Sequence, residues 1–384
     1  MRLWIVGGGT GGHVYPALAV AQALPAIASD VEITWIGTLD GMEGELVRRA
    51  GLSFIGIPGG GLHGVGWRHA IRNAWELVRG IFAARRHMRR ERPAAVLTTG
   101  GYVSGPVALV ASWQRVPTLV FVPDIEPARS VKAIARMAQR VAVTVPDSVR
   151  YFEPGMSTDG GGDRVVVTGY PLGERITGWT RAEGRATFGF GEDDRVLLVF
   201  GGSRGARSIN RAVMQNIEAL TDLAHVVHVS GTLDWSEVEA ERVTLSEPVR
   251  ARYQIYPYLH ERMGAALAAA DLVVSRAGAS VLGEFPYFGL PAILVPYPHA
   301  WRYQRVNAAW LEDRGSAVVV EDEDLPERIV EAVGELFADD DRRRQMVAAA
   351  RDLARPKAAE QVARLLVELG RRADPAPGSV AGEG

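Results

Sequence analysis

The first feature with chemical capacity is an imidazole beside a glycine-rich turn. Gly7-Gly8-Gly9-Thr10-Gly11-Gly12-His13 follows an apolar run and opens a helical pattern. A turn this poor in Cβ atoms lets a ligand approach the backbone closely. A histidine at that place suits general-base work near neutral pH. The plainer reading is a β–α turn with a capping histidine, and pattern alone leaves both open. Gly7, Gly9 and Gly12 satisfy G-x-G-x-x-G, which points to a dinucleotide. The second apolar run, however, ends Trp35-Ile36-Gly37-Thr38, with no acidic residue to hold a ribose. Nor is this a P-loop, because His13 stands where lysine is required.

A second cluster, Thr99-Gly100-Gly101-Tyr102-Val103-Ser104-Gly105-Pro106, has the same strand–turn–helix setting. Alone it is as consistent with a tight turn as with a site. The third, Gly201-Gly202-Ser203-Arg204-Gly205-Ala206, is an anion site in type: a hydroxyl, a guanidinium and the free N–H groups of a helix start. A pyrophosphate leaving group fits it. Arg276-Ala277-Gly278-Ala279-Ser280 follows another apolar run, with Glu284 in a short helix expected to break at Pro286. A carboxylate there can accept both hydroxyls of a ribose, or be a solvated first-turn acid. Pro296-Tyr297-Pro298-His299-Ala300-Trp301-Arg302-Tyr303-Gln304 reads as a sugar-facing loop.

Two acidic runs contain D-x-D, a metal–nucleotide signature: Asp322-Glu323-Asp324 and Asp339-Asp340-Asp341. Asp324-Leu325-Pro326-Glu327 reads instead as a capping box, and the second run as a polar helix start. No essential metal or other cofactor is expected. A further segment sets Trp67, Ile71, Trp75, Val78 and Phe82 at helical spacing among Arg68, Arg72, Arg79, Arg85, Arg86, Arg89, Arg90 and Arg92. It is either an amphipathic helix packed on a sheet or a surface attracted to anionic lipid.

These residues need elements to hold them at sheet edges. Short, Val/Ile-rich runs predict parallel strands at Leu3–Val6, Val31–Ile36, Ala95–Thr98, Thr118–Val122, Val141–Val145 and Val165–Thr168. Helical patterns such as Pro16–Ala28 and Trp67–Arg90 lie between them. The alternation restarts at Val196–Phe200 and continues through Val226–Ser230, Gln254–Tyr256, Leu272–Ser275, Ala292–Val295 and Ala317–Val320. The chain of 384 residues thus reads as two doubly wound α/β domains. Residues 1–170 form the first and 171–354 the second, with a hinge at Gly169–Arg181. A last helix over 355–372 is expected to pack back toward the first domain, followed by a disordered tail, 373–384.

A net charge of −2 argues against nucleic acid as a partner, and the absence of cysteine excludes disulfides and thiolate chemistry. The opening run reaches its glycines at once, so no signal peptide is expected. No apolar run approaches the ~20 residues that span a bilayer.

Gly8-Gly9-Thr10-Gly11-Gly12-His13-Val14-Tyr15-Pro16-Ala17-Leu18-Ala19, Gly100 to Pro106, and Gly201 to Asn210 resemble the three glycine-rich loops of the MurG family. These N-acetylglucosaminyltransferases convert lipid I to lipid II in peptidoglycan synthesis. Arg276 to Ala279, Glu284, Gly289-Leu290-Pro291-Ala292 and His299 through Ala308 resemble its donor segment, and the likeness runs to about Leu369. It implies a GT-B fold, two Rossmann-like domains facing across a cleft, and no D-x-D metal. Thr10, Gly11, Gly12 and His13 would meet donor sugar and acceptor. Ser203, Arg204 and Gly205 would meet the diphosphate, Leu259 the uracil through its backbone, and Glu284 the ribose. Ala279, Tyr303 and Gln304 complete the UDP-GlcNAc set. Tyr102 and Ser104 would lie on the acceptor side, and Trp67, Trp75 and Phe82 on the membrane-docking helix.

Three segments depart from the family pattern. Its His-Glu-Gln-Asn is Phe121-Val122-Pro123-Asp124, so Asp124 takes the sugar-touching place. Its Asn-Pro-x-Arg is Tyr170-Pro171-Leu172-Gly173, with Arg175 as a substitute. Its paired glutamines are Tyr303-Gln304. The expected reaction is inverting displacement at the donor's anomeric carbon by the 4-hydroxyl of a polyprenyl-pyrophosphate-linked muramyl sugar. His13 is the first candidate base and Asp124 the second. The expected place is the cytoplasmic face of the cell membrane, peripherally bound, with a cell-wall synthesis complex as a further partner. The alternatives are a GT-B transferase with another acceptor, a UDP-GlcNAc 2-epimerase, an NAD(P) oxidoreductase and a non-catalytic nucleotide-sugar sensor.

Overall fold

The computed structural model describes residues 1–9, 11–39, 41, 43–60, 67–152, 164–202, 205–299 and 303–373, with backbone only over 67–74. The chain divides into two compact units, Met1–Gly173 with Lys357–Gly384, and Glu174–Pro356.

The first unit holds a parallel sheet of β1 (Arg2–Gly7), β2 (Glu32–Thr38), β3 (Ser53–Ile57), β4 (Ala95–Gly100), β5 (Thr118–Val122), β6 (Arg140–Val143) and β7 (Val165–Val167). Their order is β3-β2-β1-β4-β5-β6-β7. Strands β5 and β6 are buried along their whole length, which is why they read as apolar runs after a first polar residue, Thr118 and Arg140. β3, Ser-Phe-Ile-Gly-Ile, lies at the edge and is mostly half-exposed, so it lacks that signature and is not evident in the sequence.

The helix after β1 runs Gly11–Ile27 and so begins five residues before Pro16. Proline has no N–H for the carbonyl four residues back. That carbonyl, of Gly12, instead accepts the Tyr170 hydroxyl at 3.3 Å. Trp35 is fully buried and its indole N–H donates to Gly7 O at 2.9 Å, pinning the start of the glycine turn from below. The C-terminal helix, Ala358–Ala373, packs on the Gly11–Ile27 helix and on β4 and β5. Val362, Ala363, Leu366 and Val367 form its buried face. Burying each valine or leucine of that face contributes roughly 1.5–3 kcal/mol. The tail from 374 onward lies outside the described residues.

The second unit repeats the plan with β8 (Val196–Phe200), β9 (His225–Val229), β10 (Tyr253–Tyr256), β11 (Leu272–Ser275), β12 (Ala292–Leu294) and β13 (Ala317–Val319). Their order is β10-β9-β8-β11-β12-β13, all parallel. Two local expectations are corrected. The Val281–Phe288 helix passes through Pro286 and ends at Gly289, whose φ of 62° makes a left-handed C-cap. The Leu325–Ala338 helix starts at Asp324, but that side chain makes no capping hydrogen bond. The Asp339 carboxylate does cap the next helix, accepting from the Arg342 N–H at 2.8 Å. Among the described residues no helix is long and apolar enough to cross a membrane.

Candidate active site

In each sheet the strand order reverses direction once, between β1 and β4 and between β8 and β11. The carboxyl ends of such a pair form the crevice where α/β sheets bind ligands. All four glycine-bearing turns singled out from the sequence fall at these two points.

In the first unit the turns after β1 and β4 interlock. A Cβ on Gly101 would lie 2.6 Å from Gly8 O, and one on Gly100 would lie 2.5 Å from the His13 ring. Gly100 and Gly101 also have φ of 123° and 94°, so only glycine fits both the backbone and the space. Thr99 Oγ1 donates to His13 O at 2.7 Å, tying the two turns together. His13 is half-buried against this surface. Burial pushes its pKa below the ordinary imidazole value, and a hydrogen bond to the Gly8 backbone draws it partly back. The ring is therefore neutral at neutral pH, with one nitrogen committed to Gly8.

Sequence reading missed Glu43. Its carboxylate is fully buried beneath the first turn. It accepts from the Thr38 N–H at 2.8 Å, from Thr38 Oγ1 at 2.5 Å and from the Gly9 N–H at 3.4 Å. A Cβ on Gly8 would fall 2.3 Å from Glu43 Oε1. The acid absent from the end of β2 is thus supplied by the next helix, Glu43–Arg49, and supports the turn rather than lying open at its edge. The signal was present, a glutamate five residues past Thr38 at a helix start, but nothing in the spacing said that it turns inward.

In the second unit Gly202 and Gly205 have φ of 92° and 77°, and a Cβ on Gly205 would lie 2.3 Å from Ser230 O. The turn leads into the Arg207–Gln215 helix. Below that helix His228 is fully buried between Tyr253 Oη (2.7 Å from Nδ1) and Asn210 Oδ1 (2.9 Å from Nε2). The Asn210 amide group already donates to Ser230 O and Asp234 Oδ2. Its Oδ1 must therefore accept, which puts the His228 proton on Nε2 and makes Nδ1 the acceptor from Tyr253. Burial lowers the His228 pKa to about 3 and raises that of Tyr253, so both are neutral partners.

Across the switch point, Glu284 lies one turn into the Val281–Phe288 helix, partly buried, and accepts from Ser280 Oγ at 3.0 Å. Burial raises its pKa, opposed by the Ser280 hydroxyl and the Arg175 charge. Arg175 donates to His260 O at 2.8 Å. Leu259 is buried, and its carbonyl accepts the Arg262 N–H at 2.8 Å. The Gln304 side-chain oxygen accepts the Tyr297 N–H at 2.9 Å, which orients that amide on the loop after β12. Ala279 and the half-buried Tyr303 flank these groups in sequence, on the turn after β11 and at the start of the Tyr303–Glu312 helix.

Gly11 and Gly12 begin the first helix, and Asp124 lies half-buried just beyond β5. Tyr102 is 55% exposed at the second turn. Ser104 lies behind that turn, fully buried, donating to Gly100 O at 2.7 Å. Trp75 and Phe82 project from the Trp67–Glu91 helix, 64% and 66% exposed. Thr10, Ser203, Arg204 and the side chain of Trp67 lie outside the described residues, as do Ala300, Trp301 and Arg302.

Residues 3–143 match the glycosyltransferase family 28 N-terminal domain and residues 196–362 the glycosyltransferase family 28 C-terminal domain. A UDP-N-acetylglucosamine–N-acetylmuramyl-(pentapeptide) pyrophosphoryl-undecaprenol N-acetylglucosamine transferase of Roseiflexus sp. is 41% identical, covering 96% of this chain and 95% of that one. The chain belongs to this family of transferases.

It is accordingly a family 28 glycosyltransferase of the two-domain GT-B class. The namesake transferase of Desulforamulus reducens is 35% identical over 96% of this chain and 99% of its own. The crystal structure of Acinetobacter baumannii MurG superposes with a TM-score of 0.71 at 25% identity, covering 96% of this chain and 99% of that one. Membership of the family gives the two switch-point sites a common context.

Proposed function

We propose that the chain transfers N-acetylglucosamine from UDP-GlcNAc to the 4-hydroxyl of the muramyl sugar in undecaprenyl-pyrophosphoryl-MurNAc-pentapeptide, with inversion. One observation supports this reading: the glycine-bearing turns that resemble the family's loops follow β1, β4, β8 and β11, the strands that flank the switch point of each sheet, and the half-buried His13 stands beside the first of them. His13 takes the proton as the 4-oxygen attacks the anomeric carbon. The bond from that carbon to the β-phosphate oxygen breaks, and UDP leaves with the electron pair. Asp124 is the second candidate base and also faces the donor sugar.

The second unit takes the donor. Ser203, Arg204 and Gly205, with the first N–H groups of the Arg207–Gln215 helix, meet the diphosphate and stabilise the charge that grows on it. Glu284 accepts from the ribose hydroxyls beside Ala279 and Arg175. Leu259 meets the uracil through its backbone, and Tyr303 and Gln304 meet the sugar. Thr10, Gly11 and Gly12 line the reacting sugar, and Tyr102 the acceptor.

Trp75, Val78 and Phe82 are exposed along one side of the Trp67–Glu91 helix, with exposed Arg85, Arg86, Arg89 and Arg90 along it. Aromatic side chains beside arginines suit the interface of an anionic membrane. The chain works there, peripherally, at the cytoplasmic face where its lipid acceptor resides. It serves peptidoglycan synthesis and through it cell shape and division, alongside other cell-wall enzymes.

Radiolabelled UDP-GlcNAc with a lipid I analogue should give labelled disaccharide-lipid. UDP-ManNAc formed from UDP-GlcNAc alone would identify an epimerase instead. Tight UDP-GlcNAc binding without transfer would point to another acceptor or to a sensor.

A further inference from the structure

Arg276 reaches several segments at the second unit's site edge. It is 8% exposed, at the carboxyl end of β11. One guanidinium nitrogen donates to the Asp322 carboxylate, beyond β13, and to Val295 O, beyond β12, at 3.2 Å. The other donates to Ser208 Oγ at 2.6 Å, on the first turn of the helix that follows β8. The Ser208 hydroxyl donates in turn to the same Asp322 oxygen at 2.7 Å, closing a triangle. The guanidinium carbon lies 5.1 Å from the centroid of the Tyr297 ring, and the Tyr297 N–H holds Gln304. A single side chain thereby joins the ends of β8, β11, β12 and β13.

A buried ion pair is weak evidence for stability, since the cost of removing both charges from water offsets their attraction. Its value here is geometric. A planar guanidinium fork fixes three directions at once, which a lysine ammonium does not. The triangle also gives a structural use to Asp322, the first acid of one D-x-D run.

We propose that Arg276, locked by Asp322, is a positioning residue. It registers the diphosphate-binding first turn of the Arg207–Gln215 helix against Tyr297 and Gln304 on the sugar side. This rests on the reading of the second unit as the donor site. Arg276 acts through Ser208 on one side and through Tyr297 and Gln304 on the other, touching no substrate itself. Its loss falls on the diphosphate and sugar and spares the nucleoside end, where Glu284 and Leu259 lie.

The test compares UMP and UDP-GlcNAc binding by calorimetry in the full-length wild type and in R276K, D322N and S208A. A charge-assisted hydrogen bond to a buried group is worth enough to shift affinity by about tenfold or more. R276K and D322N should weaken UDP-GlcNAc by at least that factor while UMP changes by less than about threefold, and their double mutant should lose no more than the worse single. S208A should act in the same direction more weakly, and it carries the test if the charge variants do not fold. Equal losses for both ligands, or no loss for either, would overturn the positioning role. A wild type that binds neither ligand would overturn the donor reading itself, and this inference with it.

Discussion

His13 is held in surroundings that favour its uncharged form, and the direction of that shift has a kinetic consequence. The folded pKa lies below the usual value of about 6.5, so the ring stays deprotonated as pH falls through the range where a free imidazole charges. The acid limb of kcat/KM should therefore lie below pH ~6.5. A limb above that value would remove His13 as the base. His13→Ala should lower kcat by roughly 10²–10⁴ while UDP-GlcNAc still binds, measured with both substrates saturating. Glu284 makes the opposite prediction. A carboxylate that accepts both ribose hydroxyls contributes to binding rather than to the bond exchange. Glu284→Ala should raise the KM for UDP-GlcNAc by about ten- to a hundredfold with a smaller change in kcat.

The elements beneath these residues differ in how far the sequence revealed them. The strands that matter most, β1, β4, β8 and β11, are short, largely apolar runs that lead into glycine-bearing turns, so the turns at their carboxyl ends were legible with the catalytic candidates on them. β3 was not, because an edge strand with one glycine and a half-exposed face carries no continuous apolar signal. The inward turn of Glu43, the Arg276 triangle and the His228–Asn210 network were also hidden. Each joins residues far apart in the chain, and local pattern says nothing about which polar side chains meet. Ser104 shows the converse: it stands in a motif, yet its hydroxyl is spent on the turn.

The folded pKa of His228 is depressed to about 3, so its contribution to stability is present above the unfolded value of about 6.5 and is lost as pH falls toward 3. Urea melts should show stability declining through that window. His228→Phe should flatten the decline and cost about 1–3 kcal/mol at neutral pH, because Asn210 and Tyr253 lose their partner. On the first unit, replacing Trp75 and Phe82 together by alanine should weaken sedimentation with anionic vesicles and leave the affinity for UDP-GlcNAc unchanged. Undiminished vesicle binding would move the membrane surface elsewhere.

At the scale of the whole molecule the same construction is used twice. Each unit is a parallel sheet with one reversal of strand order, and each reversal carries glycine turns whose backbone admits a ligand. In the proposed reaction the first unit's imidazole is the base, and the second unit's helix start and Glu284 hold the diphosphate and the ribose. That division matches a reaction with two substrates, one bringing a nucleophile that needs a base and one bringing a leaving group that needs its charge held. The most direct measurement is the configuration of the product. Disaccharide-lipid made from UDP-GlcNAc and a lipid I analogue should show, by NMR, a β linkage to the muramyl 4-position, because a single displacement inverts the α-linked donor. An α linkage, a bond to another hydroxyl, or no glycoside at all would contradict the account.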